Sequence, residues 1–167
     1  MSLRLLASSL LLAAACGSSA KSTEPPKPPK PPKPLVWKDM NAEQRGTYMT
    51  DVVLPKTKEI FVAFDPKYST MDCKTCHGPG AEDGSFEMPS TGIKPLPATP
   101  EAFMAWIGKD ADAARYTEFM ASKVEPLMGE LLQMSVFNPE TKTGDLSCGN
   151  CHTLVDAEGK TVVPPKH

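Results

Sequence analysis

Apolar residues recur at helical spacing in five segments of the chain, and prolines or capping residues separate these segments. Asn41, followed three residues later by Gln44, has the pattern of a capping box and predicts a helix over about residues 42–53. Pro55 fits the first turn of a second helix. The apolar side of that helix and the residues that end it are Ile60, Phe61 and Phe64, then Asp65 and Pro66.

The second half of the chain has the same order of capping residues and prolines. Asp110 or Asp112 is placed to cap a helix that runs to about Val124, and Pro126 opens the next helix. The apolar contacts of this last helix and the residues expected to stop it are Leu127, Leu131, Leu132, Met134 and Val136, then Asn138 and Pro139.

A short helix and a long loop connect the two halves. Thr99 and Pro100 predict a helix through Ile107, with Gly108 at its C-terminus. Residues 78–97 are rich in glycine and proline, which predicts a loop. No segment shows a convincing alternation of apolar and polar residues, so the expected fold class is all-α.

The two halves are related by an internal repeat. At an offset of 71 residues the matching pairs are Tyr48 with Phe119, Met49 with Met120, Pro55 with Pro126, Glu59 with Glu130, and Ile60 and Phe61 with Leu131 and Leu132. Phe64 with Phe137 and Pro66 with Pro139 follow at an offset of 73. We therefore predict two duplicated helix-turn-helix units, over about residues 40–80 and 110–155.

The N-terminus has the pattern of an export leader. Leu5 to Ala15 form an apolar run of 11 residues, which is too short to span a bilayer, where about 20 are needed. The run ends at Cys16, and this junction resembles the bacterial lipoprotein signal. The resemblance implies a signal peptide over residues 1–15 and a lipid on Cys16, with ordinary signal cleavage near Ala15 as the alternative.

A proline- and lysine-rich segment follows the leader. Residues 16–34 include seven prolines between Pro25 and Pro34, which favour an extended and solvated backbone. We interpret them as a tether, with a recognition peptide for a polyproline-binding module as the alternative. At about 3.1 Å per residue, its last 14 positions would reach roughly 40 Å and would hold a domain over residues 35–167 away from a membrane surface.

The composition limits the size of the hydrophobic core and the kinds of partner that are expected. From residue 35 onward there are 13 basic and 19 acidic side chains, a net charge of −6, so nucleic acid is not an expected partner. Aromatic residues make up 7% of the 167-residue chain, which also has 18 prolines and 11 glycines. Such a composition predicts a thin core, which a large apolar cofactor would complete.

Four of the five cysteines form two identical patterns. Cys73, Cys76 and His77 make one CxxCH sequence, and Cys148, Cys151 and His152 make the other. CxxCH is the attachment signature of c-type haem. On one helical turn, the two thiols can bond to the vinyl groups of one porphyrin while the adjacent imidazole binds the iron. We predict two covalently attached haems, one in each repeat unit.

Two other chemistries use paired cysteines. A structural zinc could take four thiolates, but 71 residues separate Cys76 from Cys148, and zinc does not explain the histidine after each pair. A thioredoxin-like redox pair would open a helix in an alternating strand and helix pattern, which is missing here.

Methionine is the expected sixth ligand of each iron. Met49 and Met120 are the only methionines at equivalent positions in the two repeats, and they are the predicted distal ligands. Met128, which is closer to the second motif, and Met88, which follows the first, are rivals. His167 is the remaining histidine, at the end of the chain.

The order of a methionine-bearing helix, a turn and CxxCH resembles the haem-binding units of the tetrahaem cytochrome subunit of photosynthetic reaction centres. The resemblance covers about residues 48–77 and 119–152, and it implies iron with methionine and histidine ligands.

The expected function is electron transfer by an exported, lipid-anchored dihaem cytochrome c in the bacterial cell envelope. Its acidic surface would dock redox proteins that carry basic patches. A dihaem peroxidase-like enzyme or a haem-based sensor is the alternative. An enzyme is less expected because the sequence has no spare internal histidine and no carboxylate that its spacing sets apart.

Overall fold

A capping box starts the first long helix, as the sequence predicts. The computed structural model describes residues 36–162, and helix α1 spans Ala42–Tyr48. The Asn41 side chain accepts a hydrogen bond from the Gln44 N–H at 2.9 Å, and the Gln44 side chain accepts one from the Asn41 N–H at 2.9 Å. The two side chains satisfy donors that the first helical turn leaves free.

The chain does not turn before Pro55, so the predicted break between two helices is wrong. Helix α1 continues through a π-helical segment, Met49–Val53, into helix α2, Leu54–Phe64. The Leu54 N–H donates to the Met49 carbonyl, five residues back. A proline in a regular helix clashes with the carbonyl four residues before it, and the wider π turn relieves this clash. We call residues 42–64 the first arm.

The second arm, residues 111–132, has the same construction at the offset of 71 residues. It consists of α6, Ala111–Phe119, the π-helical segment Met120–Val124, and α7, Glu125–Leu132. Asp110 caps α6 by accepting from the N–H groups of Asp112 at 3.0 Å and Ala113 at 3.1 Å. The Glu125 N–H donates to the Met120 carbonyl. Each π turn therefore precedes its proline in the same register.

The second arm ends at Leu132, before Asn138 and Pro139, which the sequence predicts as the residues that stop it. Gln133 adopts the left-handed conformation, with φ 53°, and the Met134 N–H donates to the Gly129 carbonyl at 2.9 Å. This hydrogen bond is typical of a Schellman helix end. Met134 and Val136 therefore lie outside the helix. Phe137, which the repeat matches to Phe64, is not in a helix either.

Shorter elements connect the arms and follow them. Helix α3 spans Lys74–His77, α4 spans Gly80–Asp83, and α5 spans Pro100–Ile107, with Thr99 as its cap. The bounds of α5 agree with the sequence prediction. Segments of 3-10 helix cover Trp37–Asp39, Pro66–Thr70 and Cys148–Asn150.

A small sheet makes the fold mainly α rather than all-α. Strand β1, Leu96–Pro97, pairs in parallel with β2, Leu154–Val155, and β2 pairs antiparallel with β3, Thr161–Val162. Each strand has two residues, which is too short for an alternating pattern to be recognised in the sequence.

The hydrophobic core lies between the two arms. Phe119 of α6 contacts Phe61 edge to face at 5.0 Å between ring centroids and stacks on Phe64 at 4.0 Å. Phe61, Met71 and Phe119 are the buried centre of this cluster. The Tyr48 hydroxyl donates to the Leu131 carbonyl at 2.9 Å and so ties the first arm to the end of the second.

A bilayer-spanning helix, which would need both length and sustained apolarity, does not occur within residues 36–162. The predicted signal peptide, Cys16 and the tether lie outside the described residues, as does His167.

Candidate functional site

Both CxxCH motifs adopt one helical turn. In the first motif, the His77 N–H donates to the Cys73 carbonyl at 2.9 Å, and in the second the His152 N–H donates to the Cys148 carbonyl at 2.9 Å. Residues three apart on such a turn are neighbours on one face. The backbone therefore places the two thiols of each motif where one ligand could reach both.

Different local contacts hold each turn. The Asp72 side chain accepts from the Lys74 N–H at 2.9 Å, just before α3. The Asn150 side chain accepts from the Ser147 N–H at 2.7 Å and closes the turn of the second motif on itself. Asp and Asn favour such turns because their short side chains reach nearby backbone groups.

The imidazole of His152 is oriented by the chain 58 residues before it. Its Nδ1 atom is hydrogen-bonded to the Lys94 carbonyl at 2.8 Å. Since a carbonyl only accepts, Nδ1 carries the proton and Nε2 is left as the ligand atom. Histidines that bind metal commonly have this arrangement.

The imidazole of His77 has a different environment. Its Nδ1 atom is buried and has no hydrogen-bond partner within residues 36–162. The ring meets the Phe86 ring edge to face at 5.5 Å. Burial lowers the pKa of His77, and a hydrogen bond with the Phe86 backbone offsets part of this effect. Burial therefore favours the neutral form, which is the form that binds metal.

All four thiols are unpaired; Cys148 is exposed, and the other three cysteines are partly buried. Burial raises the pKa of Cys76 and of Cys151 to about 11, and it raises the pKa of Cys148 as well. A negative charge on Cys151 would also raise the pKa of Cys76, so these two side chains lie within electrostatic range. The two motifs are therefore neighbours in space, although a long stretch of sequence separates them.

The segment after the first motif connects it to the second. A Cβ atom on Gly78 would lie 2.6 Å from the Gly92 Cα, so the chain passes itself backbone to backbone at this point. Ser90, only 2% exposed, donates from its N–H to the Cys151 carbonyl at 2.9 Å. Further along, the Leu96 N–H donates to the Thr153 carbonyl at 2.9 Å. Residues 78–97 include α4 and β1, so they are not the unbroken loop that the sequence predicts. They form a bridge between the motifs, which we call the bridging loop.

The two predicted methionine ligands occupy equivalent positions but have different surroundings. Met49 and Met120 each begin a π-helical segment, and both are half-buried. Met120 packs against the core cluster of Phe61, Met71 and Phe119, as does Cys76. Met49 is not among the residues packed against that cluster. The structure thus brings Met120 and the first motif together around one apolar centre.

The two rival ligands lie in other parts of the fold. Met128 is half-buried in α7, and Met88 lies in the bridging loop with 37% of its surface exposed.

Glu125, a residue that sequence analysis did not select, lies beside the second motif. Burial raises the pKa of its half-buried carboxyl group. A negative charge on Glu125 raises the pKa values of both Cys148 and Cys151, after the larger effect of burial. The repeat could have drawn attention to this residue, because the equivalent position in the first arm is the apolar Leu54.

The residues of the two motifs can be compared with what a haem would need. Within residues 36–162, no three His, Cys, Asp or Glu side chains are grouped closely enough to hold a metal ion. Haem needs only paired thiols and one adjacent imidazole with an available nitrogen, which both motifs supply. The oriented Nε2 of His152 and the imidazole of His77, whose neutral form is favoured by burial, are consistent with such ligation.

Two open depressions are lined by residues outside the motifs. One of about 680 Å³ is lined by residues of α1 and its flanks, including Met40 and Tyr48, and one of about 470 Å³ lies beside Val136 and Pro139. A covalently attached group does not depend on an enclosed pocket for its retention.

Comparisons with known proteins identified no similar protein. No family model matches the chain, and neither a curated protein nor a solved structure matches it.

Proposed function

We propose that this chain is a dihaem c-type cytochrome that carries electrons between redox proteins at a bacterial membrane. Haem iron, when bound, supplies reversible one-electron chemistry. Cys73 and Cys76 would hold one haem and Cys148 and Cys151 the other, with His77 and His152 as proximal ligands. Met49 and Met120 are the proposed distal ligands. The observation that carries the proposal is the shared one-turn backbone of the two motifs, each with a histidine suited to ligation.

The repeated arms support two copies of one haem-binding unit. Their π turns coincide at an offset of 71 residues, and each π turn begins at a proposed methionine ligand. A duplicated unit explains why both halves have the same order of parts: a methionine, a proline and then a CxxCH motif.

The chain's own groups would favour electron transfer over reaction with small molecules. The thioethers of Met49 and Met120 would complete the ligands of the iron, and apolar side chains such as Phe61 and Phe119 would disfavour the charged oxidised state. Both effects raise the reduction potential. The surplus of acidic side chains would steer a partner with a basic patch.

We also propose that the protein is exported and anchored by a lipid on Cys16. The 11-residue apolar run and the junction at Cys16 support this. The tether over residues 16–34 would separate the haem domain from the membrane surface.

The mass and absorption spectrum of the mature full-length protein test the proposal. We expect two haems per chain, one lipid modification and low-spin spectra that do not change with carbon monoxide or peroxide. Replacing both cysteines of one motif by alanine, in the first or the second motif, should remove one haem in each case.

Colourless protein with four free thiols or bound zinc would contradict the proposal. A high-spin component that binds carbon monoxide or reacts with peroxide would support a sensor or a peroxidase-like enzyme instead of a carrier. The Glu130→Gln variant is a suitable control, because this exposed side chain should affect neither haem content nor spin state.

A further inference from the structure

We infer that the two attachment sites are unequal, and that Glu125 makes the second site, formed by Cys148, Cys151 and His152, the more reducing of the two. The inference rests on the proposed function and adds to it an order of the two potentials. It is argued from the packing of α7, from the difference between Glu125 and Leu54, and from the different partners of the two imidazoles.

Helix α7 turns the face that carries Glu125 toward the segment that leads into the second motif. Glu125 and Gly129 are four residues apart, so they lie on the same face of α7. A Cβ atom on Gly129 would lie 3.0 Å from Val136 Cγ2 and 3.8 Å from Leu146 Cδ2. Leu146 is only 3% exposed and stands two residues before Cys148. Glu125 therefore lies one turn before Gly129 on the helix face that Leu146 contacts.

The charge of Glu125 is not neutralised by a partner. Within residues 36–162, no lysine or arginine forms an ion pair with it. Its effect on the thiols of Cys148 and Cys151 shows that it lies within electrostatic range of both. A nearby uncompensated anion stabilises the more positive, oxidised state of an iron site and so lowers its potential.

The first site lacks this anion. Leu54 occupies the position equivalent to Glu125 and packs against the same apolar cluster as Cys76. Apolar surroundings around a haem disfavour the oxidised state, because its charge is poorly solvated there. The residue at this position of the repeat therefore lowers the reduction potential at the second site and raises it at the first.

The hydrogen bonds of the two imidazoles also favour a lower reduction potential at the second site. His152 donates from Nδ1 to the Lys94 carbonyl at 2.8 Å, whereas the Nδ1 of His77 has no such partner among the described residues, and the Phe86 backbone is the hydrogen-bonding group that acts on the His77 ring. A hydrogen bond donated by the ring makes its other nitrogen a stronger electron donor. His152 would thus stabilise the oxidised state more than His77. This observation is independent of Glu125.

The test is a spectroelectrochemical titration of the mature full-length protein and of the Glu125→Gln variant, which has nearly the same shape without the charge. We expect two couples in the wild-type protein, and in the variant a rise of the lower couple with the upper couple unchanged. Glu130→Gln, on an exposed face of the same helix, should leave both couples where they are.

The lower couple is assigned to its site by the Cys148→Ala/Cys151→Ala variant, which should lack it. If Glu125→Gln fails to fold, Glu125→Leu, which copies the first arm, should also raise the lower couple. A rise of the upper couple alone, no change in either couple, or a lower couple that persists without the second motif would overturn the inference while leaving the proposed function in place. Protein without haem would overturn both.

Discussion

Met49 and Met120 contribute to the arms through their backbones as well as their side chains. Each carbonyl accepts the five-residue hydrogen bond of its π turn, from Leu54 and Glu125 respectively. Replacing either side chain by alanine leaves these backbone bonds in place. The loss of a thioether can therefore be separated from a loss of helix.

Met49→Ala and Met120→Ala should each remove half of the sulfur-to-iron charge-transfer band of the oxidised protein, because each removes one proposed ligand. Met104→Ala is the control, since Met104 is 62% exposed on α5. The near-infrared absorbance of the three variants, normalised to haem content, measures the effect. Retention of the full band in either ligand variant would refute that methionine as a ligand and would point to one of the rivals, Met128 or Met88.

Single residues were predictable where their effects are local. The caps Asn41, Thr99 and Asp110 follow from contacts within three residues, and all three are confirmed. The position of Glu125 was not predictable, because it depends on how residues 133–147 fold back onto Gly129. The acceptor of His152, a backbone carbonyl 58 residues away, leaves no mark in the sequence either.

At the scale of elements, the bridging loop is the part that couples the two motifs. Its turn at Gly78 has φ 54° and ψ −133°, a conformation almost restricted to glycine, and its backbone touches that of Gly92. Gly84, in the same loop, has φ 78° but open space around it. Both glycines have a positive φ, but only Gly78 approaches another part of the backbone. A comparison of the two therefore separates the cost of backbone strain from the cost of a backbone clash.

Gly78→Ala should lower the free energy of unfolding by at least about 3 kcal/mol, since backbone strain and a backbone clash add together. Gly84→Ala should lower it by only about 1–2 kcal/mol, the usual cost of a left-handed non-glycine residue. Urea unfolding of the mature protein measures both values. Equal losses in the two variants would show that the contact between Gly78 and Gly92 is unimportant.

Helix starts were predictable at this scale, and the connections between helices were not. Pro55 and Pro126 are usually signs of a break, and only the three-dimensional path shows that a π turn absorbs each of them. The end of α7 at Leu132 depends on the left-handed Gln133, a residue with no strong preference for that conformation. The two-residue strands depend on pairing between distant parts of the chain.

For the molecule as a whole, Asp65 joins the end of the first arm to the second. Its carboxylate lies 3.2 Å from the Lys67 Nζ and 3.9 Å from the Arg115 guanidinium of α6. The hydrogen bond from the Lys67 backbone is the main reason that the pKa of Asp65 is lowered below its ordinary 3.8, and the charges of Lys67 and Arg115 act in the same direction. Ionised Asp65 therefore stabilises the folded state.

The free energy of unfolding should therefore decrease at low pH, in part because the Asp65 carboxylate becomes protonated. Below an unfolded pKa near 3.8, the unfolded state binds more protons than the folded state, so stability decreases as the pH falls through the folded pKa of Asp65. Above pH 3.8 the stabilisation is fully present. Asp65→Asn should be less stable at neutral pH and should show a shallower loss in acid, measured as the urea midpoint from pH 2 to 7.

Asp51→Asn, a change at an exposed residue of the first π turn, is the matched control and should keep the wild-type profile. An unchanged acid profile in Asp65→Asn would mean that another carboxyl group is responsible.

The bridging loop also implies an order in which the two motifs become native during folding. His77 meets Phe86 nine residues later, so its surroundings can assemble from a short piece of chain. His152 takes its acceptor from Lys94 and a backbone partner for its motif from Ser90, both made long before it. Contacts of long sequence separation form late, because a larger loop must close first. The first motif can mature while the chain is still emerging, whereas the second must wait for the first half to be in place.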